Sequence, residues 1–373
     1  MEDFEGIRPY LDHEVVGVLE SLVANPELRD AVAGLRLPGL KRLLPPLARQ
    51  IVGWELKRRT RGLETVRDVQ LMLEGYVDAL VEQTTSEFSV RGLDRLEVDR
   101  AYLFISNHRD IVMDSAFLNL AIHRAGHQTS RIAVGDNLLS RAFATDLMRL
   151  NKSFVVERSV KGTKAVYAAL HRTSSYIRCS LSEGHSVWIA QREGRAKDGF
   201  DRTDPALLKM LALAWRKEIE HFGDMCQRIS IVPVSVSYEL DPCDRRKAHE
   251  LCVTQTRGGY EKTSDEDLMS IVDGILGEKG RVHLTFGKPM QGSFQEAEDL
   301  AIAVDECIIG GLEIFPTNVE AARLCGLDVA NSQLEPLPGV MASFRSRIES
   351  TSEAERRFLL EQYTNPIRNQ LSL

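Results

Sequence analysis

From Pro9 to about Phe88 apolar residues return at helical spacing, most clearly in "LETVRDVQLMLEGYVDALVEQ", and strictly alternating β-branched runs are scarce. The spacing predicts helices throughout this part of the chain. After Val90 the texture changes. Short runs rich in β-branched and aromatic residues, "AYLFISN", "RIAVGD", "SFVVER", "SVWIAQ", "RISIVPVSVSYEL", "ELCVTQT" and "RVHLTFG", read as strands, and helical stretches separate most of them. Pro233 inside the fifth run removes a ladder donor, which predicts an edge or a bulge at that position. Beyond Pro289 the pattern is helical again, through "SFQEAEDLAIAVDECIIGGLEIF" to the charged tail "ERRFLLEQYTNPIRNQ".

Such alternation predicts an α/β fold: a layered, mixed, largely parallel sheet flanked by helices, preceded by a helical N-terminal domain. The expected divisions are 1–89 for the helical domain, 90–290 for the sheet domain and 291–373 for a helical extension. In sheets of this kind, sites collect at the strand ends.

Charge refines this picture locally. The 373 residues are 43% hydrophobic and 27% charged with a formal net charge of −7, so the chain as a whole lacks the basic balance that favours nucleic acid. Residues 35–62 run against that average. There Arg36, Lys41, Arg42, Arg49, Lys57, Arg58, Arg59 and Arg61 face the single acid Glu55 and interleave with Leu, Ile, Val and Trp54. The stretch either rests on an anionic membrane surface or forms a solvated helix pair broken at Pro45-Pro46. No window approaches the ~20 apolar residues of a spanning helix. Six scattered cysteines without a Cys-x-x-Cys pair, and an acidic amino terminus, predict a cytoplasmic protein with reduced thiols.

Polar clusters stand at or near four predicted strands: "SNHRDIVMD", "SFVVERS", "WIAQREGRAKDG" and the Pro-containing "ISIVPVSVSYE". A histidine beside carboxylates suits a general base, because imidazole takes protons near neutral pH and a carboxylate fixes its tautomer. Without a Gly-x-Ser-x-Gly elbow a serine nucleophile of the hydrolase kind is not indicated, which makes a substrate hydroxyl a candidate for activation. Arg158 and Arg195 carry the fork geometry for a phosphate, and Gly194 lets an anion approach the backbone. Residues six apart on a helix lie about 120° from each other, so His108 meets Asp114 only from a loop preceding the helix. Asp110 is the competing partner, and otherwise an N-cap for that helix. The remaining histidines have no metal-ligand spacing, so no metal site is expected.

These clusters together resemble the glycerolipid acyltransferase family over residues 90–290. Asn107, His108, Arg109 and Asp114 resemble its first block, and Phe154 to Arg158 its second. Glu193, Gly194 and Arg195 resemble its Glu-Gly-Thr-Arg block, and Ile231 to Val236 its apolar strand around a proline. Two departures stand out: five residues separate His108 from Asp114 where the family has four, and the Thr of the third block is missing.

The resemblance implies transfer of a fatty acyl group from acyl-CoA or acyl carrier protein to a hydroxyl of glycerol-3-phosphate or lysophosphatidic acid, without a cofactor. His108 is then the base and Asp114 its partner. Asn107 belongs to the site. Arg158, Arg195, Lys197 and Arg109 neutralise the acceptor phosphate, and Glu193 orients a hydroxyl or an arginine. The enzyme is expected peripherally on the cytoplasmic face of an anionic membrane. The rival readings are a hydrolase of phospho- or thioesters and a non-catalytic lipid-binding protein.

Overall fold

The computed structural model of the chain describes residues 4–138, 141–263 and 265–373. The N-terminal region is helical, as α1 (Asp12–Ala24), α2 (Pro26–Arg36), α3 (Pro38–Leu43), α4 (Pro45–Thr60) and α5 (Val66–Thr84). β1 (Thr85–Arg91), β2 (Leu103–Ser106) and α6 (Met113–Arg124) follow, then β3 (Arg131–Gly135), α7 (Ala142–Leu150) and β4 (Ser153–Val156). Next come α8 (Thr163–Ser182), β5 (Val187–Ala190), α9 (Pro205–Ala212), α10 (Phe222–Arg228) and β6 (Ile231–Tyr238). The chain closes with α11 (Asp244–Arg257), α12 (Glu266–Leu276), β7 (Gly280–Phe286), α13 (Ala297–Gly310), α14 (Pro316–Leu324), α15 (Pro338–Ser350) and α16 (Glu353–Leu371).

Two compact units interleave along the sequence, residues 1–76 with 131–176, and 77–130 with 177–373. In the first, Val15, Leu19, Leu22, Leu28 and Val69 of the N-terminal helices share one core with Phe143 and Leu150 of α7. β3 and β4 pair in parallel there, and Val155 N donates to the carbonyl of Ile7 at 2.9 Å. That shared core is why the expected division near residue 90 does not coincide with a unit boundary.

The second unit carries the strand order β1-β7-β6-β2-β5. Every neighbouring pair in it is parallel except β6 with β7. The sheet is thus mixed and largely parallel with helices on both faces, as the sequence pattern predicts. Phe117 of α6 packs edge-on to Tyr238 at 5.9 Å on one face. On the other face Ser235 Oγ donates to the Ile308 carbonyl of α13 at 2.6 Å. Covered on both sides, β2 and β6 are buried at every residue, the reason their sequences read as unbroken apolar runs.

Three local readings are corrected. "ELCVTQT" is not a strand but part of α11, whose buried Asp244, Ala248 and Cys252 recur every four residues, a period hidden by the β-branched Val253, Thr254 and Thr256. The predicted helix to Phe88 ends at Thr84 and passes directly into β1, a half-exposed edge strand paired only with β7. Pro233, expected at an edge or bulge, lies in the interior strand β6 opposite Ile105 of β2. On its other side it faces Gly287, one residue beyond β7, and its carbonyl accepts Gly287 N at 2.8 Å. Its missing N–H therefore falls at the last rung of the antiparallel ladder, where one hydrogen bond is made instead of two.

The β6–β7 junction is secured by Glu239, fully buried, whose carboxylate takes Arg281 Nε at 2.8 Å and a second guanidinium nitrogen at 2.7 Å. Glu239→Ala leaves the guanidinium buried and unpaired, and is expected to lower the urea-unfolding free energy by about 3–5 kcal/mol.

Candidate active site

β2, β5 and β6 run parallel, so their C-terminal ends open on the same edge of the sheet. β2 stops at Ser106, and the side chain of Asn107 takes over its hydrogen bonding. Asn107 Nδ2 donates to the carbonyl of Val236 at 3.0 Å, and Val236 N donates to Asn107 Oδ1 at 2.7 Å. Asn107, expected at the substrate, is fully buried and ties the next turn of chain to β6.

The turn that follows wraps one carboxylate. Asp114, in the first turn of α6 and fully buried, offers Oδ2 to His108 Nδ1 at 2.8 Å, to Arg109 N at 2.7 Å and to Asp110 N at 3.0 Å. Its Oδ1 accepts the hydroxyl of Tyr238 at 2.8 Å. Asp110 does not meet the imidazole. Its Oδ1 accepts Val112 N at 3.0 Å and Met113 N at 2.8 Å, capping the helix. Its Oδ2 presses on α12 at Gly274, where a Cβ would come within 2.0 Å. Burial, reinforced by the Asp114 charge, pushes the Asp110 carboxyl up from its ordinary range. Asp110 thus absorbs the extra residue of the His108–Asp114 spacing by making a capped turn.

The His108 ring stands edge-to-face with Trp188 of β5 at 5.8 Å, and its side chain is 13% exposed. Trp188 is itself fixed, Nε1 donating to Ser106 Oγ at 3.0 Å. With Nδ1 committed to Asp114, Nε2 is the nitrogen left for a ligand.

The loop after β5 carries the third block. Gly194 has φ +74° with open space around it, and Glu193 is exposed. Arg195 is half-buried, with one terminal nitrogen buried and lacking a hydrogen-bond partner. Ala196 N donates to the carbonyl of His108 at 2.9 Å, which joins this loop to the histidine turn.

Two of the expected phosphate ligands are engaged elsewhere. Lys197 pairs with Glu250. Arg109 turns inward to Asp201 at 2.6 Å, while its carbonyl accepts Nζ of the buried Lys247 at 2.7 Å. Burial outweighs that guanidinium and pushes the Asp201 carboxyl up to about 6. Arg158, exposed in the loop after β4, belongs to the other compact unit, where its side chain lies against Gly135.

A cavity of about 40 Å³ behind the histidine turn is lined by Arg109, Ala196, Tyr238, Asp241 and Tyr363, among others; it has room for a water or two and not for an acyl chain. Among the described residues no group of His, Cys, Asp and Glu is arranged to hold a metal ion.

A family model described as Acyltransferase matches residues 87–237. That segment belongs to the acyltransferase family. The matched acyltransferase segment contains all four blocks, from Asn107 to Val236, in their expected order. The solved structure of the 1-acyl-sn-glycerophosphate (LPA) acyltransferase PlsC from Thermotoga maritima is similar at 14% identity and a TM-score of 0.41, covering 82% of this chain and all of that one. No curated protein sequence matches the chain.

Sequence reasoning did not single out Tyr238, Trp188, Asp201 or Lys247. For Tyr238 a signal was present: strand alternation puts it on the same face as Val234 and Val236, two residues past the fourth block. Its hydroxyl holds the free oxygen of Asp114, so Tyr238→Phe is expected to lower kcat about tenfold with acceptor KM within twofold, because truncating a donor to a buried carboxylate leaves that oxygen unpaired. Steady-state kinetics on the purified variant checks this.

Proposed function

We propose that this acyltransferase moves a fatty acyl group from a thioester, acyl-CoA or acyl carrier protein, to a hydroxyl of glycerol-3-phosphate or lysophosphatidic acid. The observation that carries the reading is the imidazole of His108, oriented through Nδ1 by the buried Asp114, with its other nitrogen available beside the loop of Arg195.

In this reading Nε2 takes the acceptor's hydroxyl proton as the oxygen attacks the thioester carbonyl. The tetrahedral intermediate collapses by breaking the C–S bond, and the imidazolium returns the proton to the departing thiolate, leaving an ester and a thiol. Asp114 offsets the transient positive charge and holds the ring, as the carboxylate of a serine-protease triad does. Since the substrate hydroxyl is itself the nucleophile, both substrates occupy the site together and no acyl-enzyme forms. Arg195, with a buried N–H lacking a partner, suits the acceptor phosphate. Arg158, which the family resemblance also assigns to the phosphate, lies in the other compact unit and is given no part in this step; Arg109 and Lys197 act by holding the loops. Glu193 stays with the acceptor loop.

A wild-type enzyme given labelled acyl-CoA or acyl carrier protein is expected to form acylated product only when glycerol-3-phosphate or lysophosphatidic acid is present. His108→Ala should lose at least a hundredfold in kcat, the usual contribution of a general base. Free fatty acid formed at the same rate without an acceptor would point to a hydrolase instead.

The lipid product gives the basic helices a purpose, and we assign the enzyme peripherally to the cytoplasmic membrane face. No helix among the described residues is long and apolar enough to cross a membrane. On and beside α4, Leu43, Leu44, Leu47, Ile51 and Trp54 are all exposed, Leu43 by 79% and Trp54 by 66%. Leu44, Leu47, Ile51 and Trp54 follow i, i+3, i+7, i+10 spacing, which sets them in one stripe. Arg58 stacks over the Trp54 ring at 5.4 Å, and Lys57 and Arg61 flank that end. Arg36, Arg49 and Arg59, by contrast, are held in ion pairs with Glu55 and Asp30. An apolar stripe with a cationic end fits an anionic bilayer surface. Ile51→Ser with Trp54→Ala is expected to weaken sedimentation with phosphatidylglycerol vesicles at least tenfold, and unchanged sedimentation would reject this docking face.

A further inference from the structure

The matched acyltransferase segment ends at residue 237, yet the loop that carries Arg195 is held by the last helix of the chain. α16 presents Gln362, Asn365 and Asn369 at i, i+3, i+7 spacing, and all three are buried. Asn365 Nδ2 donates to the carbonyl of Asp198 at 2.7 Å, and Asn369 Nδ2 to that of Gly199 at 3.3 Å. Gly199 has φ +80° and lies so near α16 that a Cβ there would come within 2.4 Å of the Gln362 carbonyl oxygen.

The helix is anchored in turn. Gln362 Nε2 donates to the carbonyl of Asp244 at 3.0 Å, and the Tyr363 hydroxyl donates to Asp244 Oδ2 at 2.7 Å. Arg368 reaches Asn365 Oδ1 at 2.8 Å, which leaves the amide nitrogen of Asn365 facing the loop.

Between Arg195 and these contacts lie only Ala196 and Lys197, and Ala196 is bonded to the His108 carbonyl. The loop is therefore fixed at one point to the histidine turn and at the next to α16. We infer that α16 is a clamp that sets where Arg195 stands relative to His108, with Asn365 and Asn369 as positioning residues for the acceptor's phosphate. This rests on the proposed role of Arg195. The physical reason is entropic: a glycine-flanked loop without outside bonds samples many backbone states, and binding an anion must then restrict it.

Calorimetric titration with glycerol-3-phosphate tests the clamp independently of turnover. Asn365→Ala is expected to weaken the dissociation constant about threefold to tenfold, the effect of one lost neutral hydrogen bond. Asn369→Ala, with the longer bond, should weaken it less. Amide hydrogen exchange across residues 192–203 should quicken in both. In an Arg195→Ala background the Asn365 substitution should add less than twofold, because its effect passes through the guanidinium. Acyl-donor KM should stay within twofold throughout, a result that general damage to the fold would not give. If Asn365→Ala fails to fold, Asn369→Ala carries the test.

Unchanged affinity in a folded variant, unchanged exchange in the loop, or full additivity with Arg195→Ala overturns the clamp. Absence of glycerol-3-phosphate and lysophosphatidate binding by the wild-type protein overturns the acceptor assignment on which the clamp rests, and is read before any variant is made.

Discussion

A single carboxylate organises the turn on which the proposed chemistry depends. Asp114 is completely buried, and such an anion is tolerated only when every lone-pair direction finds a donor. Two backbone N–H groups, an imidazole and a phenol supply them. Meeting that demand shapes the loop from Asn107 to Val112. It also selects the tautomer of His108 and reaches across to β6 through Tyr238. The orientation of the imidazole and the burial of the charge are thus the same set of bonds.

Around this centre the supporting contacts run backward into the protein rather than outward to a ligand. Asn107 continues the β2–β6 ladder with its side chain, Lys247 holds the Arg109 carbonyl, and Asp201 takes the Arg109 guanidinium. Three residues that look like ligands by type or by family position, Asn107, Arg109 and Lys197, are consumed in this support. Fewer groups remain for the proposed acceptor, chiefly His108 Nε2 and the guanidinium of Arg195. A site preorganised in this way uses little binding energy to fix its own geometry.

Sequence and structure agree where burial on both faces dictates residue type. β2 and β6 are legible as apolar runs for that reason, whereas the partner of His108 stayed open between Asp114 and Asp110 in the sequence, and the fold decides it by spending Asp110 on the start of α6 and turning Asp114 to the imidazole. The edge strand β1 was hidden by its half-exposed, mixed composition, and α11 by a cluster of β-branched residues at its end. The direction of the Arg109 side chain was beyond reach of local pattern, since it is fixed by Asp201, distant in sequence. Tyr238 belongs to the same class: alternation gives its face, but only the fold brings Asp114 to that face.

The pairing of β1 has a bearing on modularity. β1 opens the matched segment, but its one hydrogen-bonded neighbour within its unit, β7, lies beyond the segment's end and also covers the antiparallel side of β6. Cut free at residue 237, the segment would keep its four signature blocks and yet present the long apolar edge of β6 to solvent, an invitation to intermolecular strand pairing. The matched stretch is therefore not a self-sufficient module: the strand that closes its sheet lies outside it.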